Sequence, residues 1–185
     1  MLSIVFGTYN RLDMLTDCME ALRAAVSIPH EIIILDGGST DGTLEYLRNQ
    51  PDVRLIAQGR LVGAVKAYNA GFDAAIGDYV AFINDDLVLA PGQLDAAVNM
   101  LNARPDVGMV ALRFYNVGKG NGSDGGHTGH IKFDGKRIPY AEFGVIRNDL
   151  GRQVGWFTDR YFHYAGDSHL GMSVWRAGYR VEPLN

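Results

Sequence analysis

The sequence predicts an α/β domain with a mostly parallel sheet, on three observations. From residue 2 to about residue 115, short branched or aromatic runs alternate with amphipathic helical stretches. Between Glu31 and Asp36 the chain is apolar without alternation, the pattern of a strand covered on both faces. A chain of 185 residues with 47% apolar side chains also makes one domain whose core needs neither metal nor disulfide.

Each element has its own signal. Residues 2–6, Leu-Ser-Ile-Val-Phe, read as a first strand closed by the turn Gly7-Thr8-Tyr9-Asn10. Leu12, Leu15, Met19, Leu22 and Val26 recur at steps of three and four, giving one apolar face to a helix over 11–26 that Pro29 closes. Residues 31–36 form the second strand, and Gly37-Gly38-Ser39-Thr40-Asp41-Gly42 breaks it. Ser39, Thr40 and Asp41 offer N-cap side chains to a short helix over 43–49, which leads to a strand over 53–57. Val65, Tyr68, Phe72 and Ile76 mark a further helix that stops at Gly77. Residues 79–83 make a fourth strand, with Asn84-Asp85-Asp86 just beyond its end. Pro91 opens a helix whose Leu94, Ala97, Val98 and Leu101 face the core, and a strand over 107–115 follows.

Near residue 116 the character changes. Six glycines fall in residues 116–129, a loop and a candidate lid. Residues 131–133, the Asp134-Gly135 turn and residues 137–140 have hairpin chemistry, so the second half is expected to be mixed or antiparallel. A helix over 167–177 carries Leu170, Val174 and Ala177 on one face, then Gly178 stops it and residues 179–181 form a strand.

Charge and cysteine usage exclude several functions. With 17 Lys+Arg against 21 Asp+Glu and no basic stripe, the chain lacks the cations that nucleic-acid binding needs. No apolar run approaches the ~18 residues that span a bilayer, and Met1-Leu2-Ser3 lacks a signal peptide's basic start. The single Cys18 flanks a leucine stripe, where a buried thiol and a reducing, cytoplasmic compartment fit.

In open α/β sheets, ligands bind beyond the carboxyl ends of the strands. Three such ends carry polar residues: Thr8-Tyr9-Asn10-Arg11, Asp36-Gly37-Gly38-Ser39-Thr40-Asp41 and Asn84-Asp85-Asp86. Adjacent carboxylates repel unless a cation joins them, and a hard divalent ion bridging to a diphosphate suits Asp85-Asp86. Asp36 could accept hydrogen bonds from a base or sugar, with Gly37 and Gly38 letting the ligand approach the backbone. These features suit a nucleotide.

In these residues the chain resembles the family 2 glycosyltransferases of the GT-A fold. Their pattern of strand, Thr-Tyr-Asn-Arg turn, and Asp followed by Gly-Ser-Thr-Asp-Gly-Thr is matched at Thr8 to Arg11, Asp36 and Gly38 to Thr43. A helix Asn, the Gly-Asp-Tyr-Val run and an acidic strand end are matched by Asn69, Gly77 to Val80 and Asn84-Asp85-Asp86. The last family motif, an acidic residue opening a helix that ends in Arg-Ala-Gly-Tyr-Arg, is matched by Asp167 and Arg176 to Arg180. Four motifs in order over about 90 residues are more specific than any one of them.

The resemblance implies a GT-A sandwich forming a single catalytic domain over 1–185. Residues 1–115 would hold the nucleotide-sugar, and 116–185 the acceptor and base. It implies that Thr8, Tyr9 and Asp36 hold the nucleoside, Asp85 the ribose, and Asp86 a Mn²⁺ or Mg²⁺ on the diphosphate of a donor, expected to be UDP-linked. Asp167 would be the catalytic base of an inverting transfer to a hydroxyl on a glycan, lipid-linked or other acceptor. Where the family often has further acids in the last motif, this chain has Gly166 and His169, leaving Asp167 as the motif's carboxylate. Gly37 stands where many members have an acid or amide, which puts base recognition on Asp36. A module that only binds nucleotide-sugars is the rival reading, and Asp167 in a helix-opening position favours the enzyme.

Other residues give weaker signals. His127, His130, His163 and His169 match no zinc spacing. Arg60 and Lys66 lie near a helix start and read as solvated surface rather than diphosphate contacts. Of the aromatics Tyr140, Phe143, Trp156, Phe157, Tyr161, Phe162 and Tyr164, most are expected in the core, with sugar stacking as the alternative.

Overall fold

A computed structural model describes residues 1–113, 115–116, 128–162 and 165–184. The strands are β1 (Leu2–Thr8), β2 (His30–Asp36), β3 (Val53–Ala57), β4 (Tyr79–Phe82), β5 (Leu87–Val88), β6 (Val107–Ala111), β7 (Tyr115–Asn116), β8 (Thr128–Phe133), β9 (Lys136–Ala141), β10 (Gly144–Arg147) and β11 (Arg180–Pro183). The helices are α1 (Leu12–Ala25), α2 (Thr43–Arg48), α3 (Ala64–Ala74), α4 (Gln93–Ala103), α5 (Asn148–Val154) and α6 (Gly166–Arg176).

The central sheet runs β11-β6-β10-β4-β1-β2-β3. Pairs β1–β2, β1–β4, β2–β3 and β6–β11 are parallel, while β10 is antiparallel to both β4 and β6. This is the expected mostly parallel central sheet with a mixed second half. Strand order reverses at β1, because β2 and β3 lie to one side and β4 to the other. The carboxyl ends of β1, β2 and β4 therefore open together at a switch point, where α/β sheets bind ligands.

Alternation along the strands builds two cores. Leu2, Ile4 and Phe6 of β1 and Ile32 and Ile34 of β2 pack with Leu15, Met19 and Leu22 of α1 and Leu94 and Leu101 of α4. Val5, Ile33 and Leu35 face the other way, onto Val65 and Phe72 of α3, Leu150 of α5 and Leu170 and Val174 of α6. A strand buried on both faces needs no polar residue in its period, which is why 32–35 is an unbroken apolar run. Phe72 anchors the second core: Trp156 stacks on it at 4.6 Å, and Phe157 and Phe82 meet it edge-on.

Several elements differ from the sequence reading. The helix containing Val65 and Phe72 ends at Ala74, and Ile76, expected on its apolar face, is 72% exposed in the following turn. The strand expected over 107–115 ends at Ala111, and Tyr115–Asn116 pairs separately with Leu87–Val88. Periodicity signals neither β10, whose four residues are too short a run to show a period, nor α5, whose seven make less than two helical turns. Ser39, Thr40 and Asp41 do not serve as the N-cap residue of α2, which is Gly42. Asp167 lies inside the first turn of α6 after an Ala165 cap, so it is not the cap either. The hairpin β8–β9 around Asp134-Gly135 is as expected and packs its strands against α6. Of the expected lid, residues 117–127 with His127 lie outside the described residues, and so do His163 and Tyr164.

Candidate active site

The first two loops are fastened to each other. Asn10 N donates to Ser39 Oγ at 2.9 Å, Thr40 N to Asn10 Oδ1 at 2.8 Å, and Leu12 N to Asp41 Oδ2 at 3.2 Å. The polar residues of both motifs are thus spent largely on joining the ends of β1 and β2. Asp36 is fully buried, and its Oδ1 accepts the N–H groups of Gly38 and Ser39 at 3.0 Å each. That turn requires glycine: Gly38 has φ +93°, and a Cβ there would meet the Gly59 carbonyl at 2.8 Å. Asp36 Oδ2 and Thr8 Oγ1 are buried polar atoms without a hydrogen-bond partner.

Beside this turn a cleft of about 400 Å³ is lined by Thr8, Tyr9, Gly37, Leu61, Asp85 and Asp86, among others. Tyr9, Leu61 and Phe162 are 41%, 60% and 71% exposed and form an apolar rim. Such a rim can cover the faces of a nucleobase. Asp36 itself does not line the cleft.

Asp85 and Asp86 share one cation. Arg11 Nη1 lies 3.1 Å from Asp85 Oδ1 and 3.1 Å from Asp86 Oδ2. Burial pushes the Asp85 carboxyl up, opposed by the nearby Thr8 hydroxyl and the Arg11 guanidinium, with Asp86 adding to the rise. The Thr8 hydroxyl acts there by proximity, since it makes no hydrogen bond of normal geometry. Behind this strand end the Cys18 thiol donates to Asn84 O at 3.4 Å, and burial pushes that thiol up to about 12. Tyr68 OH donates to Ile83 O and lies 2.8 Å from Asn84 Oδ1.

A divalent ion fits the carboxylates. Asp86 Oδ1 is buried without a partner, a free hard oxygen beside a second carboxylate. Among the described residues, no group of three or more His, Cys, Asp or Glu is placed to hold a metal. An ion on Asp86 would therefore complete its shell with diphosphate oxygens and water, the common manner for Mg²⁺.

A second cleft, of about 460 Å³, contains Asp167 and adjoins the first, with Ala64, Tyr68 and Asn84 lining both. Burial pushes the Asp167 carboxyl up, and the N–H groups of Ser168 and of Asp167 itself oppose it. Helix-terminal stabilisation, which competes with burial for this residue, is therefore outweighed. Glu142, beyond the end of β9, lines the same cleft and is pushed up by burial and by the Asp167 charge. Asp167 is thus not the sole carboxylate there.

Two charged residues of the clefts carry no signal of their own in the sequence. Arg11 is legible only as part of a turn motif, and Glu142 sits in the stretch of weakest resemblance, outside any period or spacing. Phe162 in the first cleft carries only the general aromatic signal. Asn69 of the helix motif is structural, because its amide donates to Phe157 O at 2.8 Å and accepts from Phe157 N at 3.2 Å. His169 carries a buried Nδ1 without a partner, burial and the charges of Arg176 and Arg160 push its imidazole down, and it lines neither cleft. His130, Arg60 and Lys66 are exposed and also line neither cleft. Of the aromatics expected mostly in the core, Trp156 and Phe157 are buried there, whereas Tyr140 and Phe143 are half-buried in the lining of the second cleft and Tyr161 and Phe162 are exposed, because these four lie in loops or at strand ends.

Known proteins are similar along nearly the whole chain. The uncharacterized glycosyltransferase YibD of Escherichia coli is 38% identical over 103 residues, covering 54% of this chain and 30% of its own. The mannosyltransferase PcManGT of Pyrobaculum calidifontis, solved with GDP-Man and Mn²⁺, superposes with a TM-score of 0.76 at 22% identity, covering 99% of this chain and 54% of its own. Staphylococcus aureus TarS 1-349 with UDP-GlcNAc gives a TM-score of 0.76 at 20% identity, covering 99% of this chain and 55% of its own. The chain spans about a third to a half of the length of these proteins, and the two superpositions establish the fold. The profile of Glycosyl transferase family 2 matches residues 3–180, and the chain belongs to that family.

Proposed function

We propose that residues 1–185 are the catalytic domain of an inverting, metal-assisted glycosyltransferase, with 1–115 holding a nucleotide-sugar and 116–185 the acceptor and the base. The observation that carries this reading is the junction of the two clefts at Tyr68 and Asn84, with Asp85-Asp86 in one and Asp167 in the other. Thr8 and Tyr9 would take the nucleoside and Asp85 the ribose. Asp36, the third nucleoside residue of this reading, does not line the cleft and would act through the turn it holds, whose Gly37 does. A UDP-linked donor is preferred. The two superposed proteins were solved with UDP-GlcNAc and GDP-Man, so both nucleotides belong in the test.

The chemistry follows from the arrangement. Asp86 would hold Mn²⁺ or Mg²⁺, which when bound stabilises charge gathering on the departing nucleoside diphosphate. Asp167 takes the proton of the attacking hydroxyl, and its burial-raised pKa makes it a stronger base than a solvated aspartate. Attack from the cleft opposite the diphosphate inverts the anomeric carbon in a single displacement. The acceptor is a hydroxyl on a glycan, free or lipid-linked. Among the described residues, no helix is long and apolar enough to cross a membrane.

Calorimetric titration of UDP and GDP, with and without Mn²⁺, into wild type and Asp86→Ala tests the donor site. Metal-dependent binding of one nucleotide, lost in the variant, is the expected result. Binding of neither nucleotide under either condition overturns the reading.

A further inference from the structure

Resting on the transferase reading above, we infer that the Asp167 cleft selects a neutral, polyhydroxylated acceptor, with Glu142 holding a hydroxyl next to the one that attacks. By the same chemistry it disfavours an acceptor whose nucleophile is a phosphate oxygen.

The charged groups in the described lining of this cleft are both carboxylates. Tyr140 and Glu142 reach it from β9 and the turn after it, Asp167 and Ser168 from the start of α6, and Asn84 from the junction with the other cleft. Among the described residues, its lining contains two carboxylates and no Lys or Arg. Glu142, Asp167 and Tyr140 line one cleft of about 460 Å³, and the Asp167 charge acts on both the Glu142 carboxyl and the Tyr140 phenol. An ionised carboxylate only accepts hydrogen bonds, and a hydroxyl donates them. One sugar face presenting adjacent hydroxyls gives one proton to each acid. Asp167, in the first turn of α6 and the more buried of the two, removes its proton, while Glu142 only holds. Phe82, Phe143 and Phe157 give the cleft apolar walls against which a sugar ring's C–H face can rest.

A phosphate nucleophile fits poorly on two counts. It would bring negative charge against two carboxylates with no cation in the described lining. It also has no proton to lose at neutral pH, which would leave Asp167 with nothing to remove. A lipid-linked acceptor is compatible, provided that its nucleophile is a sugar hydroxyl.

Saturation-transfer NMR on the full chain with Mn²⁺ and UDP or GDP provides the test. The probes are the methyl glycosides of glucose, mannose, galactose, rhamnose and N-acetylglucosamine, together with geranyl phosphate. At least one glycoside is expected to bind, and geranyl phosphate is expected not to displace it. Glu142→Gln and Glu142→Ala should weaken that glycoside about tenfold, the loss of one hydrogen bond to a charged group, with nucleotide affinity unchanged and Tm equal to or above that of wild type, since a repelling charge is removed. A purely structural role for Glu142 would lower Tm instead. Displacement by geranyl phosphate, unchanged glycoside binding in both variants, or no glycoside binding while nucleotide binds would each overturn the inference. Failure of nucleotide binding is a separate result that removes the transferase reading and this inference with it.

Discussion

Arg11 and Asp86 form an ion pair of 3.1 Å in the lining of the first cleft, and the same guanidinium nitrogen also reaches Asp85. The Arg11 side chain is 45% exposed, whereas Asp85 is nearly buried at 6%. Arg11 therefore neutralises two adjacent carboxylates from the solvent side.

This geometry would make Arg11 a competitor of any divalent ion held by Asp86. Replacing it by Gln should tighten Mn²⁺ binding to the nucleotide-free protein by about tenfold, because the ion no longer displaces a charged hydrogen bond. The same change should cost about 1–3 kcal/mol of stability without metal, since Asp85 loses its cation. Mn²⁺ titration followed by electron paramagnetic resonance checks the first effect. Equal or weaker Mn²⁺ affinity in Arg11→Gln would rule the competition out.

The reciprocal amide pair between Asn69 and Phe157 ties α3 to the segment that precedes Asp167. Asn69→Leu leaves both backbone groups of Phe157 unpaired at a residue only 6% exposed. A loss of about 2–4 kcal/mol in urea unfolding is expected, from two orphaned groups at the usual cost of each. A change below about 0.5 kcal/mol, the range of ordinary surface substitutions, would show the pair to be incidental.

Gly38 is the tightest point of the Asp36 turn. Gly38→Ala puts a side chain at φ +93° with its Cβ 2.8 Å from the backbone of Gly59, so either the turn or the neighbouring loop must move. We expect about 1–3 kcal/mol of destabilisation and weaker nucleotide binding, because Gly37, which lines the cleft, belongs to the same turn. Thermal unfolding and calorimetry read the two effects. Unchanged nucleotide affinity would separate the turn from the cleft.

Much of this arrangement is legible in the chain because regular elements announce themselves. Ile32 to Leu35 reveal a doubly covered strand, and the Leu15, Met19 and Leu22 face packs as its spacing predicts. The carboxyl ends of β1, β2 and β4 are where the motifs point, because parallel strands bring those ends together. What is hidden depends on contacts distant in sequence. Arg11 acquires its role only when Asp85 and Asp86, more than seventy residues on, arrive beside it. Glu142 shares a cleft with Asp167 only because β9 packs on α6. Ser39 and Asp41 look like helix caps, since a capping side chain and a loop-to-loop hydrogen bond use the same residue types.

Asp167 should set a trade-off between stability and chemistry. Burial raises its folded-state pKa, so the folded protein holds this proton more tightly than the unfolded chain. The resulting contribution to stability is fully present below the unfolded aspartate pKa and is lost as pH rises through the raised folded value. At pH 7 the buried charge is a burden, and Asp167→Asn should raise Tm by on the order of 2 °C while removing the proposed base. The Tm gain should vanish below the ordinary aspartate range, where wild type is neutral too. A lower Tm for the variant at pH 7 would show that the carboxylate is better solvated than its burial implies.

Mutual repulsion fixes the sign of the coupling between the two acids of the second cleft. Glu142 feels the Asp167 charge, and Coulomb repulsion acts equally in both directions, so neutralising Glu142 must ease the ionisation of Asp167. In Glu142→Gln the Asp167 carboxyl should titrate at lower pH than in wild type, and in Asp167→Asn the Glu142 carboxyl should also move down. Tyr140, which faces both acids, should show a lower phenol pKa in either variant. Carbon-13 NMR of labelled side-chain carboxyls follows each group without needing a substrate. Parallel curves for wild type and variants would mean that the acids are too well screened by water to act on one bound sugar. Displaced curves would mean that their fields overlap within the cleft, as a shared pair of hydroxyl acceptors requires.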